Sequence, residues 1–413
     1  MLCLLLSAPA HAQKKNSPLW EHAHPLSLSG PDECVKNIAK FRDLFKGKRL
    51  IAMGEATHGT KEFFQMKHWF FRFLVEEMGV RFFAIEGNYS EALAVNRFVL
   101  KGEGDPIQAI GNMRFWTWNT HEVLDFVRWI RAYNLAHGPD ERVQFLGFDM
   151  QLTFDALTLL QTTIEQHADA RAKAFLPPLS PYVGRHPFIM KPATKDSLVS
   201  AAEAIFEWLV RDSVNLSKDL GKQQFFESKM HARLLMQAGG AAIMTGNYRD
   251  SCMTDNVRYM LNEAGPDAKM MLWAHNGHIM KRPQVGYQKK FTNMGARLSK
   301  MYGAEYFAIG FDFGGGTFAA VHDQHVGTQT ITKWRGGNVR SHFMAHPSDA
   351  VFIDLHPANP TEKAAKTFSK LKGGATIGAV FYPRFQKHFI ETSEPGLQYD
   401  AVIFIKETSA SVP

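Results

Sequence analysis

Two carboxylates and three imidazoles stand where this chain could do proton chemistry: Glu55, His58, Glu86, His275 and His278. Glu55 and His58 lie in the run KRLIAMGEATHG, where an apolar stretch stops at Gly54 and a long aromatic pattern begins after Gly59. An apolar run, a glycine and then a helical pattern reads as strand, tight turn and helix start. Glu86 closes a second apolar run, RFFAI, and His275 and His278 follow a third, KMMLWA, as HNGH. Imidazoles beside carboxylates suit proton transfer near neutral pH. A carboxylate bonded to one ring nitrogen fixes the tautomer and leaves the other nitrogen free to take a proton from water. No G-x-S-x-G run is present to support a seryl nucleophile, so activated water is the leading nucleophile. The same residues also look like a zinc ligand set, since HNGH offers two rings from one turn, although no HExxH or carboxylate-rich loop accompanies them.

These groups can meet only if the intervening elements carry them to one place. Strands are expected over 50–53, 81–85, 143–148 and 269–274, and helices over 33–45, 60–78, 90–100 and 122–134, with a shorter helix capped by Asp105-Pro106. Strand-helix-strand repeats predict a largely parallel sheet with helices on its faces. Parallel strands put their carboxyl ends on one edge, which would gather residues separated by about 220 positions. The convergence requires the 269–274 strand to run parallel to the first. Between 155 and 261 the periodicity is helical, and this stretch is read as an insertion forming a lid over the cleft. It divides an α/β core into 13–154 and 262–413. Further strands are expected over 306–311, 317–321, 351–355, 378–381 and 401–405, with Gly314 to Gly316 as a turn joining the first two.

Side chains around this edge are candidates for a substrate wall. Phe115, Trp116 and Trp118 lie in an aromatic connector. Lys67, on the helix after His58, either faces solvent or helps a developing oxyanion.

Composition narrows the function classes. The chain has 413 residues, 45% hydrophobic and 21% charged, and a net charge of +7. The basic residues are scattered rather than blocked, which argues for solvated lysines and against nucleic-acid binding. Residues 1–12, MLCLLLSAPAHA, end in an A-x-A pattern and read as a signal peptide with a truncated start, which would place the protein in the periplasm or outside the cell, the alternative being a cytoplasmic protein whose apolar start is not a signal. No later apolar run is long enough to span a membrane. Cys34 and Cys252 would be the two cysteines left after signal removal, free to pair or not. No cofactor is expected, and a monomer is favoured.

Six blocks carry a resemblance: GEATHGTKEFF (54–64), FFAIEGNYSEA (82–92), FWTWNTHEVLDFVRWIRAYN (115–134), VQFLGFDMQ (143–151), RDSCMTDN (249–256) and LWAHNGHI (272–279). In this order they resemble the erythromycin esterase family. The resemblance implies an α/β core with a helical region over a deep cleft, and metal-independent hydrolysis of a macrolide lactone. It implies that His58 is the general base for water, that Glu55 is its partner acid, and that Glu86, His275 and His278 complete the site. An arginine is usual where this chain has Lys67, which keeps the charge but loses the planar fork. The family is also distantly similar to metal-dependent peptidases of the TIKI type. A metal-dependent hydrolase or peptidase and a non-catalytic envelope binding protein therefore stand as alternatives.

Overall fold

The computed structural model describes residues 16–179, 192–240, 246–283, 292–334 and 339–411. The expected signal segment, with Cys3, lies outside them. The chain forms an α/β fold around a nine-stranded mixed sheet. Its strands are β1 (Ala23–Leu26), β2 (Leu50–Met53), β3 (Phe82–Asn88), β4 (Gln144–Asp149), β5 (Met270–Trp273), β6 (Tyr306–His322), β7 (His325–Ile331), β8 (Ala350–Asp354) and β11 (Ala401–Thr408). Two short strands, β9 (Gly374–Ala375) and β10 (Ile390–Glu391), pair separately. The order across the sheet is β1-β8-β11-β6-β2-β5-β3-β4, with β7 antiparallel on β6.

Alternation along the strands explains why both faces are covered. Ile51, Met53, Phe83, Ile85, Met271 and Trp273 point to one face, where Phe63, Phe64, Phe71 and Phe126 complete an aromatic core. Leu50, Ala52, Ala84, Met270 and Leu272 point to the other, packed by apolar residues of the helical segment that follows β4. A strand apolar on both faces belongs in a parallel sheet covered on each side by helices. The helix Lys61–Met78 buries residues all along its length, Phe70, Phe71 and Leu74 among them, and ends on Gly79 at φ +71°. This left-handed stop is one that glycine adopts without a Cβ penalty.

The returning strand decides the site. β5 runs parallel to β2 and to β3 and lies between them, pairing Trp273 with both Met53 and Ile85. The carboxyl ends of the three strands are therefore adjacent. β3 also bulges: Ile85 pairs with Gly147 and Asn88 with Asp149, so Glu86 and Gly87 together face one residue of β4. A bulge re-aims side chains at a strand end, and here it turns Glu86 toward β5.

Several expectations are corrected. Residues 306–322 form one strand, not two joined by a glycine turn. The glycines serve close packing: a Cβ on Gly314 would meet Met344 Sδ at 2.2 Å, and one on Gly310 would meet the Tyr399 ring at 2.9 Å. Residues 378–381 form a loop with two isolated bridges, to Thr57 and to Val321. The helix expected over 33–45 ends at Ala39 and gives way to a 3-10 turn at Arg42–Phe45. Strands β1 and β7 were not anticipated. Pro25 in β1 is tolerated because that strand lies at the sheet edge. Between β4 and β5 the described residues are helical and contain no strand, the longer helices being Phe154–His167, Pro192–Arg211, Ser213–Gly240 and Gly246–Ala264. Cys34 and Cys252 are both buried and free.

Candidate active site

The GEATHG turn is held by backbone bonds that only a close approach allows. Asn276 accepts from the Phe311 N–H at 3.0 Å and donates to the Phe311 carbonyl at 2.7 Å, which bolts the HNGH turn to β6. Its N–H donates to the Glu55 carbonyl at 2.9 Å. A Cβ on Gly54 would lie 2.1 Å from Asn276 Oδ1, so this crossing demands glycine at 54. The 374–381 loop closes the other side, with the His58 N–H donating to the Gly378 carbonyl at 3.1 Å.

Glu55 is fully buried and every one of its interactions is specific. His58 Nδ1 lies 2.5 Å from Glu55 Oε1, and a carboxylate can only accept, so Nδ1 carries the proton. The second oxygen accepts from Trp273 Nε1 at 2.7 Å and from Lys67 Nζ. Burial alone would raise the Glu55 carboxyl. Lys67 and His58 outweigh it and hold the group below its usual value. Lys67 is itself fully buried, with Nζ 4.4 Å from the Trp273 ring centroid. Burial pulls its pKa down to about 8 against the opposing pull of Glu55. Lys67 thus lies beneath Glu55 and does not face solvent, contrary to one of the two sequence expectations. His58 keeps 13% of its side chain exposed, with Nε2 unclaimed by the carboxylate.

Glu86 has a different set of partners. Its Oε2 accepts from the His275 backbone N–H at 2.8 Å, and its Oε1 accepts from Arg249 Nη2 at 2.6 Å. Arg249 also grips Asp149 through Nη2 at 2.7 Å and Nε at 3.2 Å. His278 Nδ1 donates to Asp250 Oδ1 at 2.9 Å, and Nε2 lies 3.3 Å from Glu86 Oε1. Burial disfavours a charged His278, yet Asp250 and Glu86 prevail and hold its pKa up to about 10. Burial also opposes charge on Glu86, while His278 and Arg249 keep it well below the usual carboxylate range. Two cations, Arg249 and His278, therefore share three buried carboxylates, Glu86, Asp149 and Asp250.

His275 differs from its neighbour three residues on. Its Nδ1 accepts from the Gly277 N–H at 3.2 Å, which places the proton of the neutral ring on Nε2. That Nε2 is covered and has no protein partner. Burial and the nearby His58 push its pKa down to about 3, so it stays neutral. The His58 and His275 ring centroids are 5.3 Å apart. A Cβ placed on Gly378 would lie 3.8 Å from His275 Nε2 and 3.9 Å from His58 Cδ2, so both rings border the space left by that glycine.

All five predicted proton-transfer residues gather at one rim of the sheet. Trp118 is buried with its ring centroid 6.1 Å from that of His58, while Phe115 is half-buried and packs on the aromatic core. Sequence reasoning missed Arg249, Asp250 and Asp149. Asp149 was visible as the acid ending the third strand, and Arg249 with Asp250 opens the block RDSCMTDN, but neither pattern revealed that a helix after β4 returns to this rim.

The family model for erythromycin esterases matches residues 75–408. The chain belongs to the erythromycin esterase family. Glu86, Asp149, Arg249, Asp250, His275 and His278 fall inside the span shared with these esterases, and Glu55, His58 and Lys67 precede it. Erythromycin esterase type II of Escherichia coli is 24% identical over 332 residues, covering 73% of this chain and 77% of its own. The putative hydrolase YbfO of Bacillus subtilis is 22% identical over 435 residues, covering 98% and 94%. Among solved structures, a Bacillus cereus protein is similar with a TM-score of 0.82 at 24% identity, over 95% of this chain and 97% of that one. A mutant of the erythromycin esterase EreC in its open conformation gives a TM-score of 0.69 at 18% identity, over 92% and 96%. These likenesses share the mixed sheet flanked by helices with this member of the erythromycin esterase family.

Proposed function

We propose that this esterase-family chain hydrolyses a carboxylic ester with water activated by His58, and that a macrolide lactone is the first substrate to test. The observation that carries the reading is the His58 ring. Its Nδ1–H is fixed on a buried carboxylate, while its other edge faces the neutral His275 across the space beside Gly378. A water donates its proton to His58 Nε2 as its oxygen bonds to the ester carbonyl carbon, and the carbonyl electron pair moves onto oxygen. Glu55 stabilises the imidazolium that forms. The His275 Nε2–H donates to the charge developing on that oxygen. Collapse of the tetrahedral intermediate breaks the carbon–alkoxide bond, and His58 returns its proton to the alkoxide. Acid and alcohol leave and the enzyme is unchanged. Lys67 acts through Glu55, and Glu86 acts by fixing the His275 backbone.

A metal-dependent hydrolase would need these donors for the metal. Glu86, Asp149 and Asp250 are instead committed to Arg249 and His278, and Glu55 to Lys67, Trp273 and His58. Among the described residues no three His, Cys, Asp or Glu side chains gather in a way that could hold a metal ion. This donor occupancy favours the metal-independent route.

Incubation with fourteen- and sixteen-membered macrolides, with and without chelator, tests the reading by mass spectrometry. Addition of one water mass, unaffected by chelator, is expected. Loss of turnover after chelation would favour the metal-dependent alternative. Binding without hydrolysis across a broad panel of esters and lactones would favour the non-catalytic one.

A further inference from the structure

The His58 ring has a second neighbour that the proposed mechanism leaves unused. Trp118 sits in the turn before the helix His121–Ala136, with its N–H donating to the Phe115 carbonyl at 3.2 Å. Its ring is wedged against those of His58, Trp273 and Phe64, at centroid separations of 6.1, 5.7 and 6.3 Å. The indole is 1% exposed, yet its Nε1–H has no hydrogen-bond partner. A buried donor left unmade costs about 1–3 kcal/mol, so such a group calls for a reason. Packing does not require an indole here, since phenylalanines fill the neighbouring positions on this face without a polar atom to satisfy.

Nε1 lies 3.6 Å from the point where a Cβ of Gly87 would stand, one residue after Glu86 and within the β3 bulge, with Met113 Cε at 3.0 Å and Ile85 Cγ2 at 3.4 Å from the same point. His275 Nε2 is the other buried, unpartnered donor adjoining His58. Two of the rings that neighbour His58 thus carry buried N–H groups without partners, one from the strand end at 275 and one from the aromatic turn at 118. An ester carbonyl oxygen gains negative charge during attack, and donors already aimed at it are worth more in a buried site than in water.

We propose that Trp118 is a catalytic residue whose Nε1–H, together with His275 Nε2–H, receives the carbonyl oxygen of the ester and binds the oxyanion of the tetrahedral intermediate. The proposal rests on the hydrolytic reading above and adds a donor to it. Water oxygen bonds to carbon, the carbonyl pair moves to oxygen between the two N–H groups, and neither donor gives up its proton. On collapse the pair returns to re-form the carbonyl as the alkoxide leaves.

The test compares wild type with Trp118→Phe on an ester that wild type turns over, with a short alkyl phosphonate as the tetrahedral mimic. Trp118→Phe is expected to lower kcat about 100-fold, with KM within about twofold and the pH profile retained. Phosphonate affinity should fall by a similar factor. Because a truncated indole can disturb packing, the wild-type protein labelled with 15N-tryptophan supplies a second measurement. The Trp118 indole N–H resonance, assigned by its absence from the variant, should move downfield when phosphonate binds. Unchanged kcat in a folded variant would overturn the role of Trp118 while leaving hydrolysis by His58 standing. An indole resonance that does not respond to bound phosphonate would do the same. Wild type that hydrolyses no ester would overturn the hydrolytic reading and this proposal together.

Discussion

Glu55 and Glu86 leave the ends of strands that flank the same neighbour, yet they are put to opposite uses. Glu55 is paired from below by Lys67 and Trp273 and spends its remaining oxygen on one ring, His58, whose far edge faces the open side. Glu86 is shared among Arg249, His278 and the His275 backbone, with nothing left over. The two histidines of HNGH diverge in the same way. His278, with two acids, is held charged with a pKa up to about 10, while His275, with none bonded to its ring, is pushed down to about 3. Residue type alone does not assign acid, base or scaffold; the partners do. One half of the site presents unclaimed imidazole edges, and the other half is a saturated ion network that holds the rim in shape.

The sharpest break of this comparison exchanges each acid for its amide. Glu55→Gln removes the carboxylate that selects the His58 tautomer, so kcat is expected to fall about 1,000-fold or more; it also leaves the buried Lys67 ammonium without its partner, so the urea midpoint falls as well. Steady-state kinetics beside a urea titration reads both. If Glu86→Gln costs as much kcat as Glu55→Gln while leaving stability intact, the division of labour is wrong.

Arg249→Met attacks the other half. It strands Glu86 and Asp149 without their shared guanidinium, and an uncompensated buried charge costs about 3–5 kcal/mol. A drop of that size in urea-derived stability is expected. A variant as stable as wild type would show that the network is not a scaffold.

The contrast between the two HNGH histidines also appears as a pH slope. His68, His231 and His275 each have folded pKa values lowered to about 3, chiefly by burial. The unfolded chain takes up protons near pH 6.5 that the native state refuses. Their contribution is therefore complete above that pH and is lost as pH falls toward 3, by about 1.4 kcal/mol per pH unit for each ring. His278, raised to about 10, works in the reverse sense: its contribution is present below pH 6.5 and is lost as pH rises through 10. Urea midpoints from pH 4 to 10 should show His275→Asn flattening the acid limb and His278→Asn flattening the alkaline one. Identical curves for the two variants would erase the contrast between them.

Much of the first half was legible because it is local. The GEATHG turn shows its strand, its glycine and its acid and base within a few residues, whereas the parallel direction of β5, on which the convergence depends, was a condition the sequence left open. The second half is written at long range. Arg249 lies in the first turn of a 19-residue helix, and an Arg-Asp pair there reads like any solvated helix face until the chain around it is placed. Lys67 posed the same difficulty, since one lysine among apolar residues does not reveal the buried acid it meets. Gly314 to Gly316 looked like a turn because their reason, the approach of Met344, Ile331 and Thr408, comes from distant sequence. The loop at 378–381 has strand-like composition but finds a bridge partner only at isolated points.

The account stands or falls on the imidazole that contacts water, and His58→Asn reads it most directly. With wild type turning over an ester, the variant is expected to keep its circular dichroism spectrum and melting temperature and to lose kcat by about 1,000-fold or more. Turnover within tenfold of wild type from a folded His58→Asn protein would contradict it.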